Sequence, residues 1–203
     1  CFEGLGEKGL EILAEIKEKY KLQIVTELLD AQYVDLFVRY KVDVIQIGTR
    51  NMDNFELLKA AGRLNKPTIL KRGYASTIEE WLSACEYILD EQEDMGVLMC
   101  ERGIRTFEPA TRNTLDISAV AVVHSKSWLP VMIDPSHAAG KAEYVSSMTL
   151  AAIAAGADGI LIEVHPDPQN AKTDGAQSLN LEAFAELYKK AKKVARAIGR
   201  DVV

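Results

Sequence analysis

The chain alternates between short runs of nearly continuous apolar residues and longer segments in which apolar residues recur at helical spacing. The short runs are LQIVTEL (22–28), VDVIQIG (42–48), PTILKR (67–72), GVLMCE (96–101), PVMIDP (130–135) and GILIEV (159–164). Runs that are apolar at successive positions, rather than at every second one, are those of strands covered on both faces. Helical period marks ELLKAAGRL, TIEEWLSACEYILDEQ, TRNTLDISAVAVVHS and AEYVSSMTLAAIAAG, as well as the opening GEKGLEILAEIKEKY and the closing NLEAFAELYKKAKKVARAIG. Thr77 followed by Glu80 predicts a capping box, and Gly156 a helix stop. Lys and Arg residues late in the last helix complement the negative end of its dipole.

Strand starts at 22, 42, 67, 96, 130 and 159 are separated by 20, 25, 29, 34 and 29 residues, which is βα-unit spacing. Strand alternating with helix predicts a parallel sheet. No GxGxxG or GxxxxGK run follows any strand, so a doubly wound nucleotide fold gives way to a (β/α)8 TIM barrel. Such barrels have eight strands and take about 250 residues, whereas these 203 residues carry six strand patterns. The expectation is an α/β chain forming one domain over residues 1–203, a TIM barrel that is incomplete because its first two strands are absent.

Composition narrows the partners. With 48% hydrophobic and 27% charged residues the chain is of the ordinary globular class, and its formal charge of -6 speaks against a broad grip on nucleic acid or acidic membranes. No apolar run approaches the roughly 20 residues of a membrane helix, and the opening residues do not form a signal peptide. Cys1, Cys85 and Cys100 are odd in number and lack CxxC spacing. Neither a disulfide framework nor a zinc ribbon is indicated, and the expected location is the reducing cytoplasm.

In βα barrels the active site lies at the C-terminal ends of the strands. Here those ends are polar: Glu27; Gly48-Thr49-Arg50-Asn51; Lys71-Arg72-Gly73; Glu101-Arg102-Gly103 with Arg105; Asp134-Pro135-Ser136-His137; and Glu163 with His165, Asp174 following. Two chemical sets separate. Arg50, Lys71, Arg72, Arg102 and Arg105 are cations suited to phosphate and carboxylate oxygens, so they predict an anionic small molecule at one rim. The alternative is a structural charge network with Glu27, Glu101 and Glu108. The second set is His137, Glu163 and Asp174, whose mixed nitrogen and oxygen donors suit Mn, Fe, Co or Zn better than Ca or Mg. Three ligands leave positions open for water or a substrate carbonyl. Taken singly, His137 also reads as a hydrogen-bonded structural residue and Asp174 as the start of a turn at Gly175. His165 reads as an orienting residue, His124 as structural, and Cys85 and Cys100 as core.

The runs IQIGTRNMDNFELLKAAG, LKRG, CERGIRTFEPATRNTLD, DPSHAAG, EVHPDP and TDGAQSL resemble the bacterial 3-deoxy-D-arabino-heptulosonate 7-phosphate (DAHP) synthases, in the subgroup also found fused to chorismate mutase or a small regulatory domain. The resemblance covers essentially the whole chain. It implies a metal-dependent, aldol-like condensation of phosphoenolpyruvate with erythrose 4-phosphate, the entry step of aromatic amino-acid biosynthesis. By motif, Arg50, Lys71 and Arg102 would hold the phosphate and carboxylate of phosphoenolpyruvate, with Glu101, Arg72 and Arg105 in support. His137, Glu163 and Asp174 would be metal ligands, and Lys71, Arg102 and His137 the catalytic residues. A homo-oligomer, dimer or tetramer, and association with chorismate mutase are further implications.

The family's GPCS-like motif, whose cysteine is a fourth metal ligand, and its KPRTSP loop, which supplies a lysine and grips erythrose 4-phosphate, have no counterpart here. CFEGLG resembles the segment just after that loop, so the match runs over strands three to eight. Cys1 offers a thiolate, but its place beyond the second strand speaks against its completing the ligand set. Gly48-Thr49-Arg50-Asn51 stands where family members often read GARN. The expectation is a piece of a longer enzyme, with completion of the ring by a partner or second copy as the alternative, and little activity for these residues alone. Two other functions stay open: an octulosonate-phosphate-type synthase using another aldose phosphate, and a non-catalytic barrel remnant that binds phosphorylated metabolites or a partner.

Overall fold

Each of the six apolar runs contains a strand, and each strand is followed by a helix. The computed structural model describes residues 4–202, which form two compact units divided in sequence between Leu98 and Met99. Cys1 lies outside the described residues.

The first unit contains α1 (Glu7–Tyr20), β1 (Val25–Glu27), α2 (Val34–Arg39), β2 (Val44–Ile47), α3 (Phe55–Arg63), β3 (Thr68–Lys71), α4 (Ile78–Leu89) and the first two residues of β4 (Val97–Glu101). β1 and β2 pair in parallel with Val25 opposite Val44, and β2 and β3 with Ile45 opposite Thr68. All four residues of β3 are buried, as its unbroken apolar run requires of a strand covered on both faces. Helix α4 is fixed at both ends of this logic. The Thr77 side chain accepts from the Glu80 N–H while the Glu80 carboxylate accepts from the Thr77 N–H, completing the capping box, and those bonds hold the Glu80 carboxyl below its ordinary value. Further along α4, Trp81 is wholly buried and its Nε1–H donates to the carbonyl of Leu70 on β3 at 3.1 Å.

The second unit holds the rest of β4, then α5 (Ser118–Lys126), β5 (Val131–Ile133), α6 (Pro135–Ala139), α7 (Ala142–Ala154), β6 (Gly159–Ile160) and α8 (Leu181–Ala197). β4 pairs β5 in parallel with Met99 opposite Val131, and β5 pairs β6 with Met132 opposite Gly159. Ala191 and Ala195 of α8 pack with Ile153 of α7, and Leu187 joins Ala139, Val145 and Leu179 in a second apolar cluster. At the N-terminal end of the strands, Asp158 accepts hydrogen bonds from Val131 N and Arg200 Nη2 and lies 2.8 Å from His124 Nε2. His124 is thus structural.

Three local expectations change. Residues 111–117 are not helical; Ile104 and Thr114 instead exchange backbone hydrogen bonds at 2.8 and 2.9 Å, which diverts the chain from the helical path its apolar spacing suggests. β1 and β6 are shorter than their apolar runs. Two short helices were not legible: α2, of six residues, and α6, of five, where Asp134 caps the N–H of His137 and Pro135 occupies the first turn. Cys85 and Cys100 are buried as expected, and burial pushes the Cys85 thiol up to about 12, so it is not a thiolate at neutral pH. Among the described residues no helix is long and apolar enough to cross a membrane.

The Asp158 latch has a defined pH dependence. Burial pushes its carboxyl up, but the Val131 N–H and the Arg200 and His124 side chains outweigh that and hold it below the ordinary value. Its stabilisation is therefore present above the unfolded value near 4 and lost as pH falls through the lower folded value. Asp158→Asn is expected to cost about 1–3 kcal/mol at pH 7, measured by urea unfolding. The gap to the unaltered protein should narrow below about pH 4.

Candidate functional site

The strand ends of each unit carry the polar residues that the sequence singles out. In the first unit Arg50 sits in the 3₁₀ turn Thr49–Asn51 immediately after β2 and is exposed. Lys71 is the last residue of β3 and Arg72 the next, and both are buried. The Arg72 guanidinium lies 5.8 Å from the centre of the Trp81 ring, and its Nε donates to the Ser76 carbonyl at 2.9 Å. A buried guanidinium stacked on indole and tied to backbone is fixed in direction, unlike a surface arginine. Glu27 at the end of β1 lies against Gly48: a Cβ there would meet Glu27 Oε1, the far end of an exposed side chain free to swing aside.

In the second unit β4 ends in Glu101, wholly buried, followed by Arg102, 2% exposed, while Arg105 is exposed. The Glu101 carboxylate accepts from Gly103 N at 2.6 Å and from Asp116 N at 3.4 Å, which curls the chain after the strand. Arg102 Nη1 donates to the Gly103 carbonyl at 3.3 Å. A guanidinium held at such depth has its donor directions set by the surrounding chain. Glu108 accepts from Ala110 N in its own turn.

The second unit also brings together His137, Glu163 and Asp174: one donor atom from each lies within 4.8 Å of the others. His137 projects from α6, whose start is set by the Asp134 cap. Its Nδ1 is 2.7 Å from Oδ2 of Asp134, which is wholly buried, and its Nε2 is 2.9 Å from Glu163 Oε1. Both ring nitrogens thus face carboxylate oxygens, and Nε2 is the one turned toward Glu163. Glu163 follows β6, its N–H donating to Ser136 Oγ at 3.0 Å and its carbonyl accepting from Leu179 N at 2.9 Å. Asp174 stands at a left-handed backbone position, φ 52°, that opens the turn Gly175–Gln177.

The donor set fits a cation. Asp134, Glu163 and Asp174 are three carboxylates around one imidazole, and Arg112, 2.9 Å from Asp174 Oδ1, is the guanidinium bonded to one of them. One imidazole nitrogen and two carboxylates converging within 4.8 Å form a donor set that could hold a divalent ion. His165 stands apart from this group; its Nδ1 accepts from Asp167 N at 3.0 Å and shapes the following loop.

Sequence reasoning did not single out Arg112, Gln177 or a role for Asp134. Arg112 donates to Gln177 Oε1 at 2.9 Å as well as to Asp174, and Gln177 Nε2 donates to Glu163 Oε1 at 3.1 Å. Arg112 falls in a segment of helical period, and Gln177 in a polar loop, so neither spacing nor residue type flags them. Gly140, with φ +68°, ends α6 against Arg112: an added Cβ would lie 2.5 Å from Arg112 Cβ. Gly140→Ala is expected to destabilise the protein by roughly 1–3 kcal/mol in urea unfolding.

A family model described as the DAHP synthetase I family matches residues 1–199. The phospho-2-dehydro-3-deoxyheptonate aldolase of Thermotoga maritima is 52% identical over 201 residues, covering 99% of this chain and 59% of the relative. A 2-dehydro-3-deoxyphosphooctonate aldolase of Syntrophotalea carbinolica is 30% identical over 201 residues, covering 93% of this chain and 71% of that protein. The crystal structure of the Thermotoga maritima DAHP synthase superposes with a TM-score of 0.96 at 51% identity, over 100% of this chain and 59% of that one. A truncated form of the same organism's 3-deoxy-D-arabino-heptulosonate 7-phosphate synthase gives a TM-score of 0.95 at 51% identity, over 98% of this chain and 76% of that one. The chain thus spans about 59% of the length of the heptonate aldolase. The match carries the fold class, α/β of the incomplete (β/α)8 type expected from the sequence.

Proposed function

This chain belongs to the DAHP synthetase I family, and we propose that the protein condenses phosphoenolpyruvate with erythrose 4-phosphate to give DAHP and phosphate, opening the shikimate route to aromatic amino acids. The observation that carries this reading is the grouping of His137, Glu163 and Asp174 within 4.8 Å. A divalent cation bound there, Mn, Fe, Co or Zn by its donor set, supplies Lewis-acid polarisation of an aldehyde carbonyl.

The chain's own residues do the rest. His137 would present Nε2, its Nδ1 lying 2.7 Å from Asp134, and Glu163 and Asp174 would contribute carboxylate oxygens. The resemblance assigns the phosphate and carboxylate of phosphoenolpyruvate to Arg50 and Lys71 of the first unit, with Arg72 in support, and to Arg102 of the second, with Arg105 in support, arginines offering forked hydrogen bonds and Lys71 a compact charge able to donate a proton. Glu101 supports Arg102 by fixing the turn after β4. The enol carbon of phosphoenolpyruvate forms the new bond to the aldehyde carbon, water adds to the cationic carbon left behind, and phosphate departs by C–O cleavage. The cationic residues favour this step by stabilising charge on the departing phosphate.

The higher identity to the heptonate aldolase supports erythrose 4-phosphate over arabinose 5-phosphate as the aldehyde. The resemblance also supports a cytoplasmic homo-oligomer, dimer or tetramer, able to associate with chorismate mutase.

The test follows loss of phosphoenolpyruvate absorbance by the whole protein with manganese and each aldose phosphate in turn. The expected result is consumption with erythrose 4-phosphate, abolished by a chelator, little with arabinose 5-phosphate, and a loss of at least about 10²-fold in kcat for Arg102→Ala. Absent or chelator-insensitive consumption would overturn the reading.

A further inference from the structure

One segment, residues 104–114, bonds directly to His137 and Asp174 and reaches Glu163 through Gln177. The Asn113 side chain donates through Nδ2 to the His137 carbonyl at 3.3 Å, Asn113 N donates to Ala138 O, and Arg112 N to Ala139 O. The strap is therefore laid along the last carbonyls of α6, the helix that carries His137, and its own ends are joined by the Ile104 and Thr114 hydrogen bonds. From this fixed backbone a single nitrogen, Arg112 Nη1, donates to Asp174 Oδ1 and to Gln177 Oε1, both at 2.9 Å.

The second of those bonds has a directional consequence. Gln177 is 2% exposed, so its amide cannot turn freely into water. With its oxygen engaged by Arg112, its Nε2 must face the Glu163 carboxylate, where it donates at 3.1 Å. Reversal of the amide would set an oxygen against the carboxylate and an amide donor against the guanidinium, and is disfavoured at each end. Arg112 thus fixes Asp174 directly and Glu163 through one intermediary, while leaving each carboxylate oxygen able to accept further.

We propose that Arg112 is a positioning residue for the divalent cation, holding Glu163 and Asp174 in the geometry that receives it; this rests on the metal reading of the site. Two effects of the guanidinium oppose each other. Its charge repels a nearby cation, whereas its hydrogen bonds pre-set two ligands. Side chains of Arg112 and Asp174 are 40% and 36% exposed, so water screens the repulsion, while the hydrogen-bond geometry persists. Positioning prevails, and removal of Arg112 weakens the cation's binding.

The sign is what the experiment reads. Calorimetric titration of the metal-free whole protein with Mn²⁺, together with the electron paramagnetic resonance spectrum of the bound ion, compares the unaltered protein with Arg112→Ala, Arg112→Lys, Gln177→Ala and His137→Ala. The expected results are about 10- to 100-fold weaker binding for Arg112→Ala, a smaller loss for Gln177→Ala, and incomplete recovery with Arg112→Lys, which keeps the charge but not the fork. The Mn²⁺ spectrum should broaden or shift in Arg112→Ala and Gln177→Ala, a change that general loss of stability does not produce. Gln177→Ala carries the test alone if Arg112→Ala does not fold. Unchanged or tighter Mn²⁺ binding in the Arg112 and Gln177 variants, with binding lost in His137→Ala, would overturn the positioning role and leave the metal reading standing. Unchanged binding in His137→Ala would remove the metal reading itself, and the role with it.

Discussion

Negative charge gathered around one imidazole is the constraint on which the second unit is organised. Asp134, wholly buried, faces one ring nitrogen of His137, and Glu163 faces the other, with Asp174 close by. The surroundings supply a guanidinium, Arg112, bonded to Asp174. One donor atom each from His137, Glu163 and Asp174 lies within 4.8 Å of the others, a grouping that could hold a divalent cation. The local structure serves the same end. A five-residue helix too short to be stable alone exists because Asp134 caps it and Pro135 pre-sets its first turn, and that helix aims His137.

A second constraint is desolvation of cations at strand ends. Lys71 and Arg72 in the first unit and Arg102 in the second are nearly inaccessible to water. Charges so placed cost the fold stability unless oxygen acceptors compensate. In the first unit Arg72 donates through Nε to the Ser76 carbonyl and lies against Trp81, which itself bonds to the Leu70 carbonyl of the fully buried β3. Rigid cations with fixed donor directions recognise phosphate and carboxylate more selectively than mobile surface lysines do.

Much of the fold was legible because burial on both faces leaves a clear trace in sequence. Strands such as Thr68–Lys71 and Val97–Glu101 sit inside their apolar runs, and helices α4 and α8 begin where Thr77 and Asn180 cap them. The features that escaped were decided by contacts distant in sequence. Residues 111–117 have helical spacing, but Thr114 bonds Ile104 and Asn113 bonds the end of α6, and these tertiary bonds override local preference. Likewise His137, Glu163 and Asp174 could be named from their places after strands, because the barrel rule directs attention there. Arg112 and Gln177 could not, since a brace is defined by the groups it touches and carries no spacing of its own.

The central claim is that these three side chains share one ion. Crystals of the protein soaked in manganese, with diffraction measured at the manganese absorption edge, test it most directly. The account predicts a single strong anomalous peak within about 2–2.5 Å of His137 Nε2 and of one carboxylate oxygen each from Glu163 and Asp174. An anomalous peak coordinated by other residues, or none at this position under saturating manganese, would contradict it.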